Sequence, residues 1–248
     1  MVLTFLHAAT VVASMTTTPR PAAARGATRL DWLDSRHSFS FGGYQDAAWT
    51  GFRALRVLND DRVAPGGGFG AHPHRDMEIL SYVVEGALRH EDSMGTGSTV
   101  SAGDVQRMSA GTGVTHAEWN ASKTEPARFL QVWILPETRD LAPSYEQRAF
   151  PLDERAGRWA LLAARRPREG ALRIHQDVEM WGVFLPPHRK ASGVVAPARH
   201  AWVQVVRGSC DVLGVKLVEG DGLAISETFE IPIVAGSHGA EVVLFDLA

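Results

Sequence analysis

Apolar residues in this chain come in short runs, and glycine and small polar residues recur between them at intervals too short for long helices. Ser38, Phe39, Ser40 and Phe41 alternate as a half-buried strand does, inside a stretch, RLDWLDSRHSFSFGGY, that adds Trp32 and Tyr44. GFRALRVLND brings Phe52, Leu55, Val57 and Leu58 up to Asn59, Asp60 and Asp61, which read as a turn cluster. EILSYVVEGALRHED is rich in strand formers. SAGDVQRMSAGTGVTHAEWN reads as strand, glycine-rich turn and strand, and RFLQVWILP is apolar almost throughout, as a strand covered on both faces should be. The best helix candidates fall between Tyr145 and Arg166, where Gly157 weakens LDERAGRWALLAARR. The pattern predicts an all-β chain, sandwich or barrel, with a few short helices.

The second half repeats the first faintly but in order. SYVVEG (81–86) has a counterpart in VQVVRG (203–208), AGDVQRMSAG in EGDGLAISET, and RFLQVWIL in AEVVLFDL. Such self-similarity implies two copies of one β unit. The expected division is a flexible leader over 1–28 outside the fold, a first domain over 29–146 and a second over 147–248.

Composition narrows the field. With 248 residues and a formal net charge of −3, the chain offers no electrostatic case for nucleic acid or anionic membranes. No apolar run is long enough to span a bilayer. Cys210 is the only cysteine, so an internal disulfide and a cysteine-based zinc site are both excluded, and a reducing, cytoplasmic setting is expected. The opening MVLTFLHAATVVASM lacks the basic flank of a secretory signal.

The chemistry concentrates between Gly66 and Asn120. His72 and His74 stand at i and i+2, so a strand points both to one face; His116 and Glu118 repeat the spacing. Each pair sits beside a glycine-rich turn. Two such pairs on neighbouring strands supply three neutral nitrogens and a carboxylate, although Asp76 and Glu78 share parity with the first pair and could complete the shell instead. Nitrogen and oxygen donors without thiolate suit Fe, Mn, Co, Ni, Cu or Zn. An octahedral ion held by four protein ligands keeps two positions for substrate or dioxygen, and its positive charge favours a deprotonated phenol or enol. In the second copy the ungapped repeat puts Val194 and Ala196 where His72 and His74 stand, so one metal is expected, in the first domain only. His37, His90, His175, His188 and His200 are expected to stand outside the site. No nucleophile elbow, phosphate loop or dinucleotide fingerprint is present.

These residues resemble the cupin pattern: Gly66, His72, His74 and Glu78 match its first motif, and Gly103, Gly111, His116 and Asn120 its second. Ser109 replaces the usual proline, two extra residues precede His116, and Gly86 comes one residue late. WLDSRHSFSFGGY, HPHRDMEILSYVVEGALRHEDSMG, MSAGTGVTHAEWN and YEQRAF make the likeness closer, to the pirin family of bicupins, from about Leu30 to the C-terminus. The resemblance implies two packed jelly-roll-like barrels. It also implies a shell of His72, His74, His116 and Glu118 holding iron, a second cupin without metal, and quercetinase activity, the dioxygen-dependent opening of a flavonol ring with loss of carbon monoxide. On that reading a small flavonol-like aromatic and dioxygen are the substrates. Glu118 binds the metal and accepts the hydroxyl proton, and Phe41, Met108 and Trp133 grip the rings. The rival expectation is an iron-bearing, redox-sensitive protein that binds a protein partner through its second barrel.

Overall fold

The computed structural model describes residues 15–248, so His7 and the apolar opening up to residue 14 lie outside it. Strands follow one another with little else between them. The first part of the chain forms β1 (Thr16–Arg20), β2 (Gly26–Leu30), β3 (Leu33–His37), β4 (Leu55–Val63), β5 (Gly68–His74), β6 (Glu78–Glu85), β7 (Ala87–Asp92), β8 (Gly97–Ser101), β9 (Asp104–Ser109), β10 (Val114–Asn120), β11 (Ala127–Ile134) and β12 (Ser144–Ala149). β13 (Ala160–Ala164), β14 (Leu172–Arg173), β15 (Val178–Leu185), β16 (Lys190–Val212), β17 (Val215–Val218) and β18 (Gly222–Leu247) follow. A turn of 3-10 helix at Ala22–Ala24 is the only helix among the described residues, and none is long and apolar enough to cross a membrane. The expected helix after Tyr145 is instead β13, whose apolar ALLAA pairs with β15 and is buried in the second unit.

In the first unit a seven-stranded sheet, ordered β12-β9-β6-β11-β4-β3-β2, faces a four-stranded sheet, β5-β10-β7-β8. In the second, β14-β13-β15-β18-β16-β17 form one sheet with β1 paired to β18. β18 flanks β16 on both sides: Ala201 pairs with Ile225 and also with Asp246. The architecture is all-β, with two sheet-rich units as in a bicupin, and no sheet among the described residues is seen to close into a barrel.

The leader belongs to the fold from Thr16 onward. β1 pairs with β18 from Thr16 opposite Ser226 to Arg20 opposite Gly222, and β2 edges the first sheet. Backbone pairing and a buried Arg20, which donates to the Ser38 carbonyl at 3.0 Å, hold a segment whose poverty in apolar residues suggested otherwise. The first unit also extends past residue 146, because β12 continues to Ala149 along β9.

The large sheet of the first unit is buried on both faces, as RFLQVWILP implied. One parity (Leu80, Tyr82, Leu130, Val132, Ile134) packs with Trp202, Val243, Phe245 and Leu247 of the second unit. Each such side chain contributes about 1.5–3 kcal/mol on burial, so this shared core binds the units firmly. Arg155 of the second unit pairs with Glu241 of the same unit at 3.2 Å and reaches across the interface to hydrogen-bond Tyr82. The other parity (Ser81, Phe129, Gln131, Trp133) faces the small sheet. Between the two sheets lies the cavity that carries the chemistry.

Two local expectations change. Ser38–Phe41 is not a strand: the chain bends after His37, sending Phe39 into the inter-unit core and Phe41 to the cavity wall. Asn59, Asp60 and Asp61 are not a turn but the buried middle of β4. They tolerate burial because each has at least one partner among its neighbours. Arg128 grips Asp60 with two contacts of 2.9 Å, His37 meets Asn59 and Ser35 donates to Asp61. Burial alone would raise the Asp60 carboxyl, but the Arg128 fork and Arg25 outweigh it and hold it below the usual range.

The repeat is visible at atomic detail. Gly103 N–H donates to the Val83 carbonyl at 2.9 Å, and Gly220 N–H donates to the Val205 carbonyl at 2.9 Å. Gly86 and Gly208, closing the two matched strands, both take left-handed backbone (φ 69° and 76°). Only the last echo is out of register. Ser81 pairs with Gln131 while its counterpart Val203 pairs with Leu244, so Gln131 corresponds to Leu244 and not to Val243.

Candidate metal centre

Antiparallel pairing of β5 with β10 sets His116 opposite His72 and Val114 opposite His74, so the three imidazoles converge. Ring centroids lie 4.8 Å apart for His72 and His74, 4.5 Å for His72 and His116, and 4.9 Å for His74 and His116. One ring nitrogen from each lies within 4.8 Å of the others. A bulge shifts the register between His116 and Glu118, bringing Glu118 opposite Phe69. Gly68 lets the strands close here, since a Cβ on it would stand 2.5 Å from the Glu118 carbonyl oxygen.

The imidazoles are short of partners. His72 Nδ1 donates to the Gly70 carbonyl at 2.7 Å, which leaves Nε2 as a donor atom for a metal. His74 Nε2 and both ring nitrogens of His116 are buried without a hydrogen-bond partner. A buried polar group without a partner is costly, and a bound cation would satisfy these nitrogens. Burial, then the charge of neighbouring imidazoles, pushes His74 down to about 4 and His116 down to about 3. At neutral pH both are in the uncharged form that ligates metals. The donor set fits a divalent transition-metal ion.

Glu118 is buried and held from three sides. Its Oε1 lies 2.9 Å from Ser81 Oγ and accepts from Gln106 Nε2 at 2.5 Å; its Oε2 accepts from Gln131 Nε2 at 2.6 Å. These donors stand in one register row across the large sheet, Gln106 opposite Ser81 and Ser81 opposite Gln131. The alternative carboxylates turn away. β5 ends at His74 and Asp76 takes φ 49°, which reverses the chain, so Glu78 faces the inter-unit side with Ser109 and His175.

The expectation that His90 stands apart fails. His90, His116 and Glu118 form a second group of donors within 4.8 Å, overlapping the first at His116. His90 Nε2 meets Asp92 Oδ2 at 3.0 Å, its Nδ1 lacks a partner, and its ring stacks on Tyr145 at 4.7 Å. The overlooked signal was Asp92 itself, two residues after His90. Gln131 and Ser81 carried a signal too, as single polar residues inside otherwise apolar strands.

The cavity before the histidines has a volume of about 350 Å³. Trp133 stands edge-on to His74 at 4.9 Å, and Phe41 edge-on to Trp133 at 5.5 Å. Both line the cavity; Met108 does not, being packed with Ile79, Ala110 and Val114. The wall opposite the histidines is polar, with Thr28, Ser35, His37, Asn59 and Asp61. Burial, opposed in part by the Ser35 hydroxyl, pushes Asp61 up to about 7. Cys210, buried in the second unit, takes no part, and burial raises its thiol to about 12.

Comparison with known proteins agrees with this geometry. Residues 19–134 match the family model Pirin, and residues 161–247 match the model for the quercetinase C-terminal cupin domain. The quercetin 2,3-dioxygenase of Escherichia coli K12 is 47% identical over 228 residues, spanning 92% of this chain and 97% of that protein. The crystal structure of YhhW from Escherichia coli has a TM-score of 0.90 at 45% identity and covers 94% of this chain and 98% of its own. The structure of the bacterial pirin YhhW in complex with nickel(II) gives a TM-score of 0.89 at 45% identity, covering 94% and 99%. A quercetin 2,3-dioxygenase from Acinetobacter baumannii, at 23% identity and a TM-score of 0.73 over 90% of this chain and 85% of that one, shares the fold. With both units matched along nearly their whole length, the chain belongs to the pirin family.

Proposed function

We propose that this chain is a metal-dependent oxidoreductase of the quercetin 2,3-dioxygenase type, opening the ring of a flavonol-like substrate with dioxygen. The observation that carries the reading is the set of partnerless, uncharged imidazoles of His74 and His116 beside His72 and a fixed carboxylate, at the end of an aromatic-walled cavity. His72, His74, His116 and Glu118 are the proposed ligands of one divalent ion, Fe(II) by family resemblance. The relatives named for quercetin dioxygenation support the reaction, and the nickel(II) complex of a bacterial pirin supports a divalent ion. When bound, the ion supplies Lewis acidity and a redox-active centre for dioxygen chemistry.

The chain's own residues do the rest. Trp133 and Phe41 flank the histidines and hold a planar ring system against them while keeping water out. Glu118 is the proposed acceptor of the enolic 3-hydroxyl proton. Its Oε1 is occupied by Ser81 and Gln106, whereas Oε2 accepts only from Gln131, so its one remaining lone pair serves the ion or takes that proton, one at a time. Ser81, Gln106 and Gln131 fix the carboxylate so that the acceptor does not drift from the substrate.

The test is oxygen uptake with quercetin by anaerobically iron-loaded protein beside the His116→Ala variant. Uptake by the wild type alone is expected. Stoichiometric iron without uptake would transfer the weight to a non-catalytic, partner-binding role.

A further inference from the structure

The polar row that fixes Glu118 does not stop at Gln131. Across the next two strands it continues to Asn59 on β4 and His37 on β3, with Ser35 and Asp61 paired in the adjoining row. Ser35, His37, Asn59 and Asp61 are each no more than 3% exposed, and all four line the cavity that holds the histidines. Asn59 lies one strand beyond the residue that touches Glu118, a separation on the order of 5–10 Å.

The hydrogen bonds of this cluster are incomplete in a particular way. His37 Nδ1 meets Asn59 Oδ1 at 2.9 Å and its Nε2 meets Thr28 Oγ1 at 2.8 Å, while Ser35 donates to Asp61 Oδ1. Asn59 Nδ2 and Asp61 Oδ2 have no hydrogen-bond partner among the described residues. Neither atom is among the fully buried ones that lack a partner, so both reach the cavity, where a bound group can meet them. Here one donor and one acceptor are held in place by neighbours and left free at a cavity wall. A phenolic hydroxyl both donates and accepts, so a single such group satisfies both.

We propose that Asn59 and Asp61, held by His37 and Ser35, form a second recognition point in the metal-site cavity that takes a phenolic hydroxyl on the part of the substrate remote from the metal. The inference rests on the flavonol reading and narrows it: the cavity selects flavonols that carry a hydroxyl beyond the enol, over those that carry the enol alone. With its carboxyl ionised, Asp61 accepts from the hydroxyl, Asn59 donates to it, and the rings between lie along Trp133 and Phe41; the binding comparison is therefore made at about pH 8, above the range in which Asp61 keeps its proton.

The experiment compares the affinities of quercetin and 3-hydroxyflavone for anaerobic, iron-loaded protein, read by quenching of tryptophan fluorescence, with Trp32 and Trp133 in the cavity wall as reporters. 3-Hydroxyflavone presents only the metal-binding group. The wild type is expected to bind quercetin about tenfold more tightly, the worth of one or two well-placed hydrogen bonds. Asp61→Asn, close in shape and still able to accept from Ser35, should cut that preference to under threefold with metal content unchanged. Asn59→Ser is a second variant should the first fold poorly, with the same expectation. A preference that survives both variants, or no preference in the wild type while 3-hydroxyflavone binds, overturns the second recognition point and leaves the flavonol reading standing. Binding of neither compound by iron-loaded protein overturns both.

Discussion

The two units place the same three positions of one β framework in opposite kinds of interior. In the first, Ser81, Gln106 and Gln131 stand side by side on β6, β9 and β11 and converge on Glu118. In the second, the corresponding neighbours are Val203, Leu223 and Leu244, all buried in an apolar core with Ala201, Val205 and Val242. Among the described residues, both groups able to hold a metal belong to the first unit. The framework tolerates either filling. A polar interior is stable only when its groups are paired with one another or with a ligand, whereas an apolar one is stable by burial alone. The second unit's core is continuous with the outer face of the first sheet, which it buries on the side away from the site.

The largest effect expected from breaking this contrast is at His116, which belongs to both donor groups. His116→Ala should abolish stoichiometric metal binding and flavonol-dependent oxygen uptake together, by metal analysis and an oxygen electrode. A metal-free variant with full turnover would remove the metal from the account. Next comes Gln131→Leu, which gives the first unit the residue that the second carries. Removing the donor to Glu118 Oε2 should weaken metal affinity by about 10–100-fold in chelator competition while the chain stays folded. Unchanged affinity would mean that the row supports the sheet and not the carboxylate.

The reverse exchange, Val203→Ser, should cost about 1–3 kcal/mol in denaturant unfolding, because the hydroxyl enters a core with no partner for it, and should leave metal binding as it was. Smallest is a pH effect on the metal-free protein. Folded His74 and His116 titrate at about 4 and about 3 against an ordinary 6.5, so the unfolded chain takes up protons first as pH falls. Stability is then lost progressively between about pH 6.5 and pH 3. Asp61, held near 7 against an ordinary 3.8, has the opposite sign: the folded state keeps its proton, and stability contributed at low pH is lost as pH rises through 7. Asp61→Asn should therefore steepen the decline between pH 7 and pH 5 in denaturation midpoints measured with chelator present.

Much of this contrast is legible in the sequence. The paired i, i+2 spacing of His72, His74, His116 and Glu118 and the glycines of the repeat point to two strands that the structure pairs, β5 and β10, because strand parity and left-handed turns leave direct marks on residue type. What the sequence hides depends on long-range pairing. Asn59 and Asp61 look like a turn until Ser35 and His37, more than twenty residues away, are seen to satisfy them within β3 and β4. Thr16–Arg20 looks like a tail because its partner, β18, lies some two hundred residues on. His90 looks isolated because β7 reaches the site only by pairing with β10. Parity separates Glu118 from Glu78 only once the reversal after His74 is known.

The most direct test of the central claim is a titration of activity against metal occupancy, with Fe(II) added anaerobically to stripped protein and quercetin-dependent oxygen uptake measured at each step. The account predicts a rate that rises in proportion to bound iron and stops rising at one ion per chain. Turnover by the stripped protein, or a rate that keeps rising toward two ions per chain, would contradict it.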